Sequence, residues 1–385
     1  MLFRRLSKQG RDQNLGDLMR YLNTGLLSIG ILALGACNPK VDLPDGAPIG
    51  LIRLQMEDPE RLDWDKAKAR PLTTSLWYPA AEGSQMEEIG IPPARPVFIG
   101  GFAARGAEMA PHSETYPLIL LSHGTGGAGM QMMWLGRELA AKGYIVAAVD
   151  HHGNTAAEEK FDPRGFRMPW ERANDLSAVL DLLLADPNWG PRIDANKIGA
   201  VGFSLGGYTV TALAGGRLDF EQFETFCQSA SKDATCEEQS EFPEAGKQFD
   251  EMLKTNPELA ERMTEHRSDF SDKRVKAVAA LAPAISQALT EESLRDITIP
   301  YFTIVGDMDQ TAPPTTNADR HAKYIPASRI HYLPNSDHYV FLNSCNRRGK
   351  RFVPLCKEPK DAPRVLAHKE TIERVTNFLN ESLRN

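Results

Sequence analysis

The sequence predicts an α/β fold built on a mostly parallel, doubly wound sheet with a helical cap insertion. Three observations favour this class: short, continuously apolar runs, helical amphipathic stretches that alternate with them, and one polar interruption of the alternation. Continuously apolar runs are typical of strands that are buried on both faces. The length of 385 residues and the hydrophobic content of 42% are sufficient for one large core or two modest ones.

Apolar runs and helical periodicity give the expected order of elements. Strands are predicted at residues 49–56, 72–78, 117–123, 144–150, 197–203, 275–282, 299–305 and 329–333. Helices are predicted at 130–142, at 169–186, directly after Ser204, and at 364–383. Residues 81–115 carry many Gly and Pro and show no clear period, so they are expected to form a loop with at most one short strand.

The polar interruption covers about residues 216–272 and follows the helix after Ser204. An insertion at this position is expected to lie over the active site as a cap. Residues 37–48 are rich in Pro and Asp and indicate a tether, so the folded domain is predicted to span residues 49–385.

The first 36 residues are typical of a targeting segment. Basic residues precede an apolar run at 25–34, which is too short to span a bilayer comfortably. The run ends in Leu34-Gly35-Ala36-Cys37, which resembles a bacterial lipoprotein signal, with Cys37 as the residue that is lipidated. Asn38 then favours the outer membrane by the same resemblance. We therefore expect a lipid-anchored protein of the cell envelope, facing the periplasm; an ordinary cleaved signal and a retained membrane anchor are alternatives, and the start is either Met1 or Met19.

Four further cysteines are present, an even number that in an exported chain argues for disulfides. Sequence proximity favours Cys227–Cys236 and Cys345–Cys356 over the two crossed pairings, and four free thiols are the alternative.

Charge and motifs exclude several classes of partner. The formal net charge of −7 argues against nucleic acid. No phosphate loop or dinucleotide fingerprint occurs, and Asp150-His151-His152 lacks a third ligand at zinc-like spacing. We therefore predict no cofactor and no metal.

The residues Gly202-Phe203-Ser204-Leu205-Gly206 follow a predicted strand and open a predicted helix. A tight turn in this context is the nucleophile elbow of the G-x-S-x-G type, in which glycines leave room for the turn and the serine hydroxyl is exposed at the end of a sheet. Ser204 is therefore the predicted nucleophile. The N–H of Leu205, the residue after it, is expected to serve as one oxyanion donor.

A serine hydroxyl needs a base, and the base needs an orienting carboxylate. Of the nine histidines, only His338 follows the last predicted strand within a short loop, which makes it the expected base. Asp307 and Asp309 both follow the strand at 299–305, and both are candidates for the carboxylate.

These motifs resemble the α/β-hydrolase family, specifically its dienelactone-hydrolase-like and platelet-activating-factor-acetylhydrolase-like serine esterases, and more distantly bacterial cutinases. The resemblance covers most of residues 115–340. Gly306, Asp309 and Pro313 match the family's strand end, which implies that Asp309 is the triad acid. Similarity to the family's His-Gly-x-Gly turn implies that Thr125 supplies the second oxyanion donor through its backbone N–H.

The expected function is that of a serine ester hydrolase that works through an acyl-enzyme on a small-molecule or lipid ester. The resemblance favours short acyl groups, including that of a phospholipid. A peptidase or amidase and a non-catalytic envelope lipoprotein on a hydrolase scaffold are the alternatives. Dienelactone hydrolase itself uses a cysteine nucleophile, so Ser204 argues against a cyclic dienelactone substrate. The sequence does not predict the oligomeric state.

Overall fold

A computed structural model describes residues 48–111, 115–358 and 363–384. The predicted targeting segment, Cys37 and most of the tether lie outside the described residues. No helix in the described ranges combines the length and the apolarity needed to cross a bilayer.

The described chain contains thirteen strands, of which eleven form one sheet and two, β2 and β3, pair separately. The strands are β1 (Ile49–Leu54), β2 (Glu57–Leu62), β3 (Ala69–Pro71), β4 (Thr74–Pro79), β5 (Glu87–Ile91), β6 (Phe98–Arg105), β7 (Tyr116–Ser122), β8 (Ile145–Val149), β9 (Ile193–Phe203), β10 (Val275–Leu281), β11 (Tyr301–Gly306), β12 (Ser328–Leu333) and β13 (Ser344–Cys345).

The described part of the chain also contains eleven α-helices. They are α1 (Met133–Ala141), α2 (Pro163–Arg167), α3 (Glu171–Ala185), α4 (Leu205–Leu213), α5 (Phe220–Gln228), α6 (Ala245–Thr255), α7 (Pro257–Arg262), α8 (Glu291–Arg295), α9 (Ala318–Tyr324), α10 (Arg347–Phe352) and α11 (Arg364–Leu383).

The main sheet has the order β12-β11-β10-β9-β7-β8-β4-β1-β6-β13, with β5 paired to β6. The six strands from β12 to β8 run parallel to one another, while β4 is antiparallel to both β8 and β1. This confirms the predicted α/β class with its mostly parallel sheet. Because parallel strands share one carboxyl edge, the loops after β7, β9, β11 and β12 meet at the same edge of the sheet.

Strand β7 shows why the apolar runs are continuous. Leu118 and Leu120 belong to the core on one side of the sheet with α3 and α4, whereas Ile119 and Leu121 belong to the core on the other side with α1 and α11. All four side chains are fully buried. Since successive side chains of a strand point to opposite faces, a strand covered by helices on both faces needs apolar residues throughout.

The expectation of a loop over residues 81–115 is wrong, because this segment contains β5 and β6. Two of the glycines that suggested a loop, Gly100 and Gly101, are instead sites where α1 approaches the sheet closely. A β-carbon at Gly100 would lie 2.5 Å from Met133 Sδ, and one at Gly101, whose φ is +101°, would lie 2.6 Å from Arg137 Nε. Glycine in a strand often marks this kind of approach.

The insertion at 216–272 contains helices α5, α6 and α7. It is joined to the body through Asp233, which accepts a hydrogen bond from Gln287 Nε2 at 2.7 Å, and through Phe242, whose ring packs against Phe166. A disulfide links Cys227 to Cys236 within this insertion, and a second links Cys345 to Cys356, the pairing that sequence proximity favours.

Candidate active site

Ser204 stands at the junction of β9 and α4 in a strained backbone conformation, with φ of 55° and ψ of −118°. Strand β10 and the loop after it hold Ser204 there, because Ser204 N donates to Leu281 O at 2.9 Å and Ser204 O accepts from Ala284 N at 3.1 Å. A non-glycine residue at positive φ is costly and persists only where its surroundings fix it. The conformation therefore shows that the fold holds this one serine in place at the carboxyl edge.

The two glycines of the elbow have no room for a side chain. A β-carbon at Gly202 would lie 2.0 Å from Gly206 O, and one at Gly206 would lie 2.1 Å from Ser122 O. The turn thus closes directly onto the end of β7.

Ser204, His338 and Asp309 form one continuous hydrogen-bonded chain. Ser204 Oγ lies 2.9 Å from His338 Nε2, and His338 Nδ1 lies 2.7 Å from Asp309 Oδ2. All three residues are buried, and Ser204 is the most accessible at 8%. The structure thus brings Ser204 together with two side chains that follow it by more than one hundred residues, in the hydrogen-bonded order nucleophile, base and acid.

Only one of the two candidate carboxylates reaches the imidazole. The second oxygen of Asp309, Oδ1, accepts from the backbone N–H groups of Thr311 and Ala312 at 2.9 and 2.8 Å. Asp307 is exposed and accepts a long 3.4 Å hydrogen bond from Ser336 N. The geometry therefore favours Asp309 as the residue that orients His338.

The turn after β7 and the start of α4 each contribute one free backbone donor near Ser204. A β-carbon at Gly124 would lie 3.2 Å from Ser204 Cβ, so the turn is in contact with the nucleophile. Within the described residues, the backbone N–H groups of Thr125 and Leu205 have no hydrogen-bond acceptor. Two unpaired N–H groups next to a nucleophile are the arrangement that stabilises an oxyanion.

The segment after β8 fixes this turn. Asn154 Oδ1 accepts from Gly126 N at 2.6 Å, and Asp150 Oδ1 accepts from Gly129 N at 2.7 Å. The guanidinium of Arg172 donates to the carbonyl of His123. Sequence reasoning did not identify Asn154 or Arg172 as supporting residues.

His123, His151 and His152 are all held by protein groups. His123 Nε2 accepts from His151 N at 3.2 Å, which leaves its Nδ1–H to donate to Gly124 O at 2.7 Å. His151 is fully buried and bonds to Ser122 and Asp175, and burial lowers its pKa to about 3. No group of three or more side chains suited to a metal occurs in the part of the chain that the structure describes.

Behind the turn lies a buried charge network centred on Asp175. Its carboxylate accepts from Arg61 at 2.8 Å, from Arg70 at 2.7 Å and from His151 at 3.1 Å. Burial alone would raise the pKa of Asp175, but Arg70 and Arg61 hold that pKa well below its ordinary value. A signal for this network exists in the sequence, because Arg172 and Asp175 share the buried face of α3 with apolar residues.

Helix α11 holds the loop that carries His338. His368 Nε2 lies 2.8 Å from Val340 O and 3.0 Å from Leu342 O, and Arg364 donates to Asn343 O at 2.8 Å. The ring of Phe203 packs beside the imidazole of His338, with 5.0 Å between ring centroids. These contacts limit the positions that the His338 ring can take.

Comparisons of sequence, fold and family relate this chain to known proteins. The chain is 33% identical to "Cutinase est1" of Thermobifida alba over 28% of this chain and 34% of that protein. It is 29% identical to "Platelet-activating factor acetylhydrolase" of Bos taurus over 25% of this chain and 31% of that protein. The chain thus spans about a third of the length of the curated relatives it matches.

A solved structure, a ferulic acid esterase from Streptomyces cinnamoneus, superposes with a TM-score of 0.59 over 89% of this chain and 93% of that one. At 22% identity this likeness shows the fold. The model of the "Alpha/beta hydrolase family" matches residues 118–353, which is more than half of the chain and includes Ser204, Asp309 and His338. The expected fold and family are therefore confirmed, and the chain belongs to the alpha/beta hydrolase family.

Proposed function

We propose that this protein is a serine ester hydrolase that works through an acyl-enzyme on Ser204. The observation that carries the proposal is the hydrogen-bonded chain from Ser204 through His338 to Asp309. The cutinases and the acetylhydrolase named among its relatives support an ester as substrate.

The catalytic cycle follows from the positions of these groups. Ser204 Oγ attacks the ester carbonyl carbon while its proton passes to His338 Nε2, and the N–H groups of Thr125 and Leu205 stabilise the oxyanion. The imidazolium then gives the proton to the leaving alkoxide, which leaves the acyl group on Ser204. Water attacks this acyl-enzyme with His338 again as the base.

Short acyl esters are the proposed substrates, including the short acyl group of a phospholipid, as the similarity to an acetylhydrolase suggests. We further propose that Cys37 is lipidated and anchors the protein in the bacterial cell envelope. The two disulfides support an oxidising compartment. Mass analysis of the mature N-terminus checks the anchor, because an unmodified Cys37 or a retained leader would contradict it.

Labelling with a fluorophosphonate tests the enzymatic mechanism. Wild type is expected to be labelled and to hydrolyse p-nitrophenyl esters, with rates that fall as the acyl chain lengthens. The Ser204→Ala variant should fold normally and lose both properties. A folded but unlabelled wild type would instead indicate a binding protein, and labelling with turnover of amides but not esters would indicate an amidase.

A further inference from the structure

The cap places one acidic side chain, Glu241, directly against the turn that carries the Thr125 N–H. A β-carbon at Gly126 would lie 2.8 Å from Glu241 Cβ, 2.9 Å from its Cγ and 3.4 Å from Phe161 Cζ. The position is anchored, because the adjacent Phe242 packs its ring against Phe166 with 5.3 Å between centroids. Glu241 is therefore held beside the oxyanion turn, although it comes from the insertion.

Among the residues that the structure describes, none gives the Glu241 carboxylate a Lys or Arg partner. In the described ranges it accepts a 3.2 Å hydrogen bond from Ser240 Oγ, and no Lys or Arg lies within ion-pair distance of it. Burial raises its pKa, and the group that acts on it with opposite charge is His338 in its protonated form. A half-buried, unpaired carboxylate is unfavourable, so its presence at this position calls for an external partner.

Tyr339 adds a second group that attracts cations. Its ring contacts the His338 ring edge-on, with 5.4 Å between centroids. Burial raises the pKa of the Tyr339 phenol, and the negative charge of the Glu241 carboxylate raises it further. An aromatic face and a carboxylate together form a favourable environment for an alkylammonium group.

We propose, building on the esterase function above, that Glu241 and Tyr339 form a subsite for a positively charged group of the substrate near the ester bond. A cation there compensates the Glu241 charge while the oxyanion develops at the Thr125 N–H. A carboxylate on the substrate adds a further negative charge at the same place. The subsite therefore selects esters of cationic alcohols and disfavours esters that carry a carboxylate.

Three acetate esters of similar size and different charge test this subsite: acetylcholine, its uncharged isostere 3,3-dimethylbutyl acetate, and 3-acetoxypropanoate. We expect wild type to favour acetylcholine over the isostere by about tenfold in kcat/KM, the scale of one partly screened charge pair. Glu241→Gln keeps the shape of the side chain. It should reduce that preference to about twofold or less and raise kcat/KM for 3-acetoxypropanoate by about three- to tenfold.

The matched control is Glu238→Gln, which removes the same charge from an exposed residue of the same cap loop and should leave all three values unchanged. Titration with a fluorophosphonate gives the concentration of active enzyme for each variant. Equal kcat/KM for acetylcholine and its isostere in wild type, or an equal loss for all three esters in Glu241→Gln, would overturn the subsite. No turnover of any ester by wild type would overturn the esterase function itself.

Discussion

Replacing Asp309 by asparagine should reverse the hydrogen-bond direction along the catalytic chain. Asp309 Oδ1 accepts from two backbone N–H groups, those of Thr311 and Ala312, at 2.9 and 2.8 Å. An asparagine must keep its carbonyl oxygen at that position, because the flipped amide would leave two buried N–H donors unpaired, at about 1–3 kcal/mol each. Its NH2 group then faces His338 Nδ1.

An NH2 group only donates, so Nδ1 must become an acceptor and the ring proton must move to Nε2. Nε2 then cannot accept the proton of Ser204, which lies 2.9 Å away. The expected loss in kcat is about 10⁴-fold, which corresponds to about 5.5 kcal/mol of transition-state stabilisation. Overall stability should change little, because the substitution is isosteric.

The assay is steady-state hydrolysis of p-nitrophenyl acetate together with thermal unfolding. Asp307→Asn is the matched control, since it neutralises the competing aspartate two residues earlier and should keep kcat within about threefold of wild type. The reasoning is refuted if Asp309→Asn retains more than a tenth of wild-type kcat, or if Asp307→Asn loses as much activity as Asp309→Asn.

Three further substitutions test the surroundings of the site. Gly206→Ala should lower kcat by more than about 100-fold, because its β-carbon would lie 2.1 Å from Ser122 O and displace the elbow. Asp175→Asn should lower the free energy of unfolding by about 3–5 kcal/mol, because it leaves the buried Arg70 uncompensated. Since the pKa of Asp175 is held well below its ordinary value, its contribution to wild-type stability is complete above about pH 4 and is lost as the pH falls below that. Cys345→Ser should cost about 2–3 kcal/mol in urea unfolding, because the disulfide closes a loop with a sequence separation of 11 residues.

The substitutions at Gly206 and Asp175 each have a control in the chain. Gly246→Ala adds a β-carbon with no heavy atom within 4 Å and should leave activity unchanged, and a similar loss at both glycines would contradict the steric argument. Asp250→Asn neutralises an exposed aspartate and should leave acid stability as in wild type. If Cys345→Ser unfolds at the same urea concentration as oxidised wild type, the loop-closure argument fails.

The parallel half of the sheet was predictable because its strands are buried on both faces. Short, continuously apolar runs such as Leu118–Leu121 predict buried strands, and the stretches between these runs show the periodicity of helices. The strands β5 and β6 were missed because their glycines reflect close packing rather than a loop: Gly100 and Gly101 of β6 lie against α1, and Gly90 of β5 lies against Pro96. His321 lies in the polar helix α9, yet it is fully buried and bonds to Ser286 and Tyr301, and the polarity of its neighbours in sequence does not indicate this burial.

For the site, chain order and strand ends were sufficient to identify Ser204 and His338 and to limit the acid to Asp307 or Asp309, and the resemblance to the family selected Asp309. The groups that support them depend on adjacency between distant segments. Asn154 meets the turn because β8 lies beside β7, and Glu241 meets it because the insertion, through Phe242, packs against Phe166. Neither contact has a signature in local sequence, since an asparagine in a loop and a glutamate in a polar insertion are common.

Because α11 holds the His338 loop, His338 can be positioned only late in the synthesis of the chain. Synthesis runs from the amino to the carboxyl end, so Ser204 and the Thr125 turn leave the ribosome more than 150 residues before α11 does. Until α11 arrives, His368 and Arg364 cannot hold the carbonyls of Val340, Leu342 and Asn343. We therefore expect a nascent chain that lacks α11 to carry the Ser204 hydroxyl without a positioned imidazole and, if the proposed esterase function holds, not to react with esters during its synthesis.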